Sequence, residues 1–390
     1  MPITRRELLA SGLAIGCSAA ASPLMTPVVL AAAPGENRLV VIILRGALDG
    51  LDLLRPAGDP LLPALRPNLF APDAPGHDLD GFFTLHPALE GLAPLWRAGQ
   101  LAFVAAVSTP YRGRRSHFDG QDLLETGGDS PDGQLPPSRD GWLNRALRLI
   151  PGADLRTAFA VGQENLLLLD GPAPVSSWSP EAELPLSPQA RLLLERLYAR
   201  DPLFAEAAQR AFEIAEEASA SATGGLKGAA ALAAFAADRL NEETRIAAFS
   251  IGGWDTHRAQ DRALPRALGE LSAALLTLRE RLGGNWDRTA VVAVTEFGRT
   301  VRENGSRGTD HGTGGTMLLA GGALSGARVH GRWPGLGEGA LLEDRDLMPT
   351  DDVRRPLGWL LAGLFGLPRA DIEASVFPRL EMGADPRLLA

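Results

Sequence analysis

Asp255-Thr256-His257 sets a carboxylate and an imidazole two residues apart in a chain that has only six histidines. In an extended segment residues i and i+2 point the same way. Both groups could therefore converge on one divalent cation, zinc-like or manganese-like. The competing reading is an Asx-turn in which Asp255 caps the next helix and His257 lies on its first turn. Asp310-His311 stands between Gly308 and Gly312. Glycine permits tight backbone approach and unusual dihedrals, which suits a loop folded over a metal or an anion. A hydrophilic turn with an incidental histidine is the alternative there. Asp49 directly follows an apolar run, where a buried carboxylate is costly unless paired or metal-bound. Glu296 occupies the same kind of position, and its neighbour Arg299 could form an ion pair with it.

Ser116-His117-Phe118-Asp119 has the form of a helix start. Ser116 with Asp119 resembles a capping box in which Asp replaces the usual Glu or Gln. The same geometry suits catalysis, because a hydroxyl at a helix N-terminus sits in a positive field that stabilises a nucleophile or an anion. Ser116 is thus a candidate nucleophile, and His117 a candidate ligand or base. Arg112, Arg114 and Arg115 lie beside them, and Arg45, Arg115 and Arg299 are the candidate anion-binding residues. His77, His86 and His330 lie in ordinary-looking loops and read as structural.

These residues need elements to hold them. Buried strands are expected at 39–44, 101–107, 245–251, 290–294 and 317–320, where the runs are short and either β-branched or apolar. Helical spacing appears over 87–97, 118–125, 142–149, 192–198, 203–218, 264–282 and 356–364. Segments 127–139 and 171–188, rich in Pro, Gly and Ser, read as surface loops, and 218–234 as a flexible turn followed by a helix. Continuous apolar strands alternating with amphipathic helices imply an α/β fold with a mostly parallel central sheet covered on both faces. Four strands run straight into polar clusters: 45–50, 108–117, 252–257 and 295–299. A fifth cluster, 308–312, precedes the strand at Met317. In open α/β sheets, sites form at the carboxyl ends of strands.

Composition narrows the function. Formal charge is −9, and no basic run is present, which argues against nucleic-acid binding. The single cysteine, Cys17, lies in the first 33 residues, so a metal site in the remainder must use His, Asp and Glu. Thr4-Arg5-Arg6 precedes an apolar stretch, and Ala31-Ala32-Ala33 offers a cleavage site. Residues 1–33 therefore read as a twin-arginine signal peptide, with export to the periplasm or beyond. Pro23 and Pro27 interrupt the stretch too early for an anchor of about 20 apolar residues, so no stable membrane span is expected after cleavage. Residues 34–390 are expected to form one α/β domain. No G-x-S-x-G elbow, P-loop or G-x-G-x-x-G fingerprint occurs, which disfavours serine esterases, NTPases and nucleotide-dependent oxidoreductases.

In their order along the chain, Leu44-Arg45-Gly46-Ala47-Leu48-Asp49-Gly50, Arg115-Ser116-His117-Phe118-Asp119, Gly252-Gly253-Trp254-Asp255-Thr256-His257, Thr295-Glu296-Phe297-Gly298-Arg299-Thr300 and Asp310-His311-Gly312 resemble an uncharacterised secreted bacterial family, domain of unknown function 1501. That family is in turn similar to the alkaline phosphatase and sulfatase superfamily. The resemblance implies a three-layer sandwich and a site that places Asp49 at the first Asp. Ser116 or His117 falls at the nucleophile, Asp255 and His257 at the middle pair, and His311 at the last His. It implies a divalent metal (zinc, manganese or calcium) held among Asp49, Asp255, His257, Glu296, Asp310 and His311, and a phosphate or sulfate ester as substrate. Two departures stand out. Glu296-Phe297 takes the place of an Asp-His pair, and Asp255 and His257 are separated by one residue instead of three. The alternative of another class is a non-catalytic periplasmic binding or assembly protein with a protein partner, reusing the fold.

Overall fold

Arg38–Leu44 (β1) is buried along its whole length, as its apolar run requires of a strand covered on both faces. The computed structural model describes residues 35–112, 114–136, 139–162, 166–178 and 226–390. The further strands of the main sheet are Leu101–Ser108 (β2), Ala158–Val161 (β3), Ser176–Trp178 (β4), Ile246–Ile251 (β5), Thr289–Val294 (β6), Gly315–Ala320 (β7), Arg328–His330 (β8) and Asp351–Asp352 (β9). Their spatial order is β8-β2-β7-β6-β1-β5-β3-β4, with β9 also pairing β2. Only β7 runs against its neighbours β2 and β6; the other pairings are parallel.

Alternate side chains of β1 point to opposite faces. Val40, Ile42 and Leu44 pack into one core with the helices Gly228–Leu240 and Gln260–Leu282. Leu39, Val41 and Ile43 pack into the other, with residues of His117–Thr126, Trp142–Leu147 and Arg354–Phe365. In chain order these helices are α1 (His117–Thr126), α2 (Trp142–Leu147), α3 (Gly228–Leu240), α4 (Gln260–Leu282) and α5 (Arg354–Phe365). The result is the expected three-layer α/β sandwich. Each Val, Ile or Leu so enclosed contributes roughly 1.5–3 kcal/mol relative to exposure.

All five expected strands form, as do the described helices. The segment 87–97 is a 3-10 turn, Pro87–Leu92, continued by a short α-helix, Ala93–Arg97. Expected helices at 192–198 and 203–218, and the signal segment 1–33, lie outside the described residues. Three local expectations are corrected. The loop read over 171–188 contains strand β4, β3 arises where no strand was expected, and His330 closes β8 rather than lying in a loop. These strands have three or four residues, too few for a periodic pattern. Pairing with an existing sheet edge decides them.

The orientation of β7 has a direct consequence for the site. Since it runs opposite to β1, β2, β5 and β6, its N-terminal end lies at the edge where those strands end. The cluster 308–312, which precedes β7, is thereby delivered to the same edge as the four clusters that follow the parallel strands.

Candidate metal centre

The loop after β5 carries Asp255 and His257, and the loop before β7 carries Asp310 and His311. Asp255 Oδ1 lies 3.0 Å from His257 Nε2 and 3.2 Å from His311 Nε2, and the two Nε2 atoms are 3.0 Å apart. The other nitrogen of each ring fixes its tautomer. His257 Nδ1 is 3.0 Å from the Asp310 carboxylate, and His311 Nδ1 is 2.9 Å from the backbone carbonyl of Arg115. Both acceptors lack hydrogen, so both Nδ1 atoms donate. In the neutral rings each Nε2 then presents a lone pair, and the third corner of the triangle is an anionic oxygen. Three lone pairs facing one another at 3.0–3.2 Å repel unless a metal cation, or a proton on one ring, lies among them. Ligand atoms about 2.0–2.1 Å from a tetrahedral zinc would be roughly 3.3 Å apart, close to these separations.

His117 approaches from the first residue of α1. Its Nδ1 is 2.8 Å from Glu296 Oε1, and its Nε2 is 3.5 Å from Asp255 Oδ2. That Nε2 is buried without a hydrogen-bond partner. His117, Asp255 and His311 offer ligand atoms all within 4.8 Å of one another. Phe297 stacks under the His117 ring, with centroids 5.3 Å apart and planes 27° from parallel. Asp255, His257 and His311 form the tightest donor triangle, and His117 faces it from the side of the other Asp255 oxygen as a further candidate ligand. The second nitrogens of the three rings bond to Asp310, Arg115 and Glu296, the pattern of outer partners that orient metal-ligating histidines.

Arg299 is buried and spends its guanidinium on the loops themselves. It donates to the carbonyls of Gly46, Ala47, Trp254 and Thr309 at 2.7–3.0 Å, and to Asp255 Oδ1 at 2.6 Å. Burial pushes the Asp255 carboxyl up, but the Arg299 hydrogen bond and charge outweigh it and hold the group below its usual range. Glu296 is lowered on balance as well: burial raises it, and hydrogen bonds from His117, Thr295 and Gly46 bring it down. The hydrogen bond to Glu296 raises His117, whereas burial and the charges of His117 and Arg299 lower His311.

Close backbone approach makes this convergence possible. Gly46 has φ +121°, and a Cβ there would stand 2.7 Å from the Asp255 nitrogen. At Gly312 a Cβ would meet the Arg299 carbonyl carbon at 2.4 Å.

Several expected site residues are placed elsewhere. Asp49 is fully buried, paired with Arg66 at 2.7 and 3.1 Å and hydrogen-bonded by Gln260 at 2.6 Å, so its charge is already compensated. Glu296 and Asp310 stand behind His117 and His257 instead of joining the donor triangle. Ser116 Oγ accepts the Asp119 N–H, as the helix-cap reading has it. The Asx-turn reading of Asp255 fails, since α4 begins at Gln260 with no side-chain cap. Arg299 pairs with Asp255 and not with Glu296. Arg45 binds Glu125 and Gln121, and Arg115 binds Asp346 and Glu343, so the three arginines expected to hold an anion are engaged inside the protein. Arg66, Gln260 and Asn304, which bonds the Asp310 carboxylate at 3.1 Å, escaped the sequence reading. They sit in no recognisable spacing, and only long-range folding brings them to their partners.

Residues 111–355 match the family described as Protein of unknown function (DUF1501). The chain belongs to this family. All the residues of the donor set and His117 lie within the matched span. No curated protein matches this DUF1501 chain. Among solved structures it is similar to a protein in the alkaline phosphatase superfamily from Vibrio parahaemolyticus, with 13% identity over 93% of this chain and 76% of that one, at a TM-score of 0.38. The lipoteichoic acid synthase of Listeria monocytogenes gives 11% identity, coverage of 92% and 77%, and a TM-score of 0.40. A periplasmic domain from Escherichia coli, solved in complex with Zn, gives 9% identity, 74% of each chain and a TM-score of 0.36.

Proposed function

We propose that this DUF1501 protein is an exported, metal-dependent hydrolase of phosphate or sulfate esters, with a divalent cation held by Asp255, His257 and His311. The observation that carries the reading is the triangle of lone pairs at 3.0–3.2 Å, each imidazole locked in the metal-ready tautomer. Three protein donors with a further position open is the arrangement of catalytic rather than structural zinc sites. A bound cation would supply Lewis-acid polarisation of an ester oxygen. The protein's own contribution is positional. Arg299 fixes Asp255, Asp310 and the Arg115 carbonyl orient the two ligating rings, and Glu296 holds the His117 ring beside Asp255. Asp255 is 46% and His257 40% exposed at the side chain, so the centre is open to a substrate from solvent. The ester class is supported by the superfamily resemblance, and export by the twin-arginine pattern of residues 5 and 6.

Elemental analysis of the folded protein, beside an Asp255→Ala/His257→Ala double variant, tests the centre. One equivalent of zinc, manganese or calcium is expected in the former and none in the latter. Turnover in a phosphatase and sulfatase screen, abolished by chelator, is expected of the metal-loaded protein. The engagement of Arg45, Arg115 and Arg299 favours the second reading, a non-catalytic binding or assembly protein. Stoichiometric metal without turnover of any ester would decide for it.

A further inference from the structure

Resting on the metal centre proposed above, we propose that Gln260 is a positioning residue of that centre. Its side-chain amide sets the spacing between the Asp255–His257 loop and the Asp310–His311 loop, and so the shape of the donor triangle. Gln260 opens α4 and is fully buried. Its amide nitrogen donates to Asp49 Oδ2 at 2.6 Å and to Asp52 Oδ2 at 3.0 Å. Its oxygen accepts the hydroxyls of Thr256 at 2.9 Å and of Thr309 at 2.8 Å. Both hydrogens and both lone pairs of the amide are thus used. The orientation has one solution. Asp49 is paired with Arg66 and Asp52 with Arg55, both at 2.7 Å, so both carboxylates only accept. Turning the amide over would set its oxygen against them. Either carboxylate alone is enough to fix the orientation, which leaves the oxygen to the two threonines.

The threonines connect this amide to the cation side. Thr256 lies between the donors Asp255 and His257 and turns the other way: it is 2% exposed, whereas their side chains are 46% and 40% exposed. Thr309 is fully buried and precedes Asp310, which orients His257, and the donor His311. One oxygen therefore holds the inward hydroxyls of both loops. The loops meet again where the Thr309 N–H donates to the Thr256 carbonyl at 3.2 Å. The 3.0 Å side of the triangle, between the Nε2 atoms of His257 and His311, joins side chains from these same two loops. A functional site needs its groups held within about 0.5 Å of the productive geometry. A shift of that size at either threonine passes to donors one or two residues away.

Zinc affinity of the full chain, measured by competition with a chromogenic chelator beside an unfolding curve, tests this. Thr256→Val/Thr309→Val keeps the shape of both side chains and removes the hydroxyls. It should weaken zinc binding about 10–100-fold, as loss of an outer partner of the ligands does. Thr256→Ser/Thr309→Ser, which keeps the hydroxyls, should bind as the wild type does. Gln260→Met should weaken binding by a similar factor and add little in the double-valine background, since its effect passes through the threonines. The valine pair carries the test even where Gln260→Met fails to fold. Leu271→Ala, on the buried face of α4, should lower the unfolding midpoint and leave the zinc affinity of the folded protein unchanged. The visible absorption bands of the cobalt-loaded protein should shift in the valine pair and not in Leu271→Ala. Wild-type affinity in the valine pair, full additivity with Gln260→Met, or an equal loss of affinity in Leu271→Ala would each overturn the role of Gln260 while leaving the metal centre in place. Wild-type protein that takes up no zinc, manganese or calcium would overturn the metal centre itself, before any residue is substituted.

Discussion

Asp49 and Asp310 are both aspartates beside strand ends, and their surroundings give them opposite roles. Asp49 neutralises the buried guanidinium of Arg66. Asp49→Ala should cost about 3–5 kcal/mol in denaturant unfolding, because it leaves that charge buried and unpaired. Its metal content should not change. Asp310 is half exposed and its carboxylate is hydrogen-bonded by His257 and Asn304. Asp310→Asn should weaken metal affinity about 10–100-fold, as loss of an outer-shell partner does, with little change in stability. A metal titration and an unfolding curve on each variant separate the two roles. The reverse pattern would return Asp49 to the metal centre.

Strands and loops set the geometry that these residues use. The loop after β1 and the loop after β5 touch through Gly46, whose φ of +121° and contact distance exclude a side chain. Gly46→Ala combines a backbone conformation costing about 1–3 kcal/mol with a clash that must displace the Asp255 backbone. Both a lower unfolding midpoint and weaker metal retention are expected. A variant that loses stability yet binds metal normally would show that the two loops are not coupled in this way. Helix α1 is the other positioning element. Ser116 caps it, and its first residue is His117, so the capping signal read in the sequence marks where the facing histidine enters the site.

At the scale of the molecule, stability should depend on pH through a histidine remote from the donor triangle. Burial lowers His86 to about 4, with nearby Asp52 opposing. Its Nδ1 accepts the Ala88 N–H at the start of a 3-10 turn, which protonation there would forfeit. The folded value lies below the ordinary 6.5, so the unfolded chain takes up the proton first. Stability is therefore full above about pH 6.5 and falls as the pH drops toward about 4. Between about pH 7 and 5 the loss from this group is about 2 kcal/mol. His86→Gln should flatten that part of the stability profile relative to the wild type. An unchanged slope would refute the assignment.

The sequence by itself determined the layers and the edge at which polar residues collect. Long apolar strands are legible because burial on both faces leaves them no polar positions, and the parallel order follows from the helices between them. The pairs Asp255/His257 and Asp310/His311 were legible as candidates because their spacing and glycine neighbours are local. The division of labour among the carboxylates was not. Asp49, Glu296 and Asp310 look alike along the chain. Arg66, His117 and His257 distinguish them, from 17, 179 and 53 residues away. The same holds for Arg299, whose neighbour in sequence is Glu296 but whose partner in space is Asp255. An ion pair or hydrogen bond is decided within a few ångströms, and only the tertiary structure, including the reversed strand β7, brings those partners within reach.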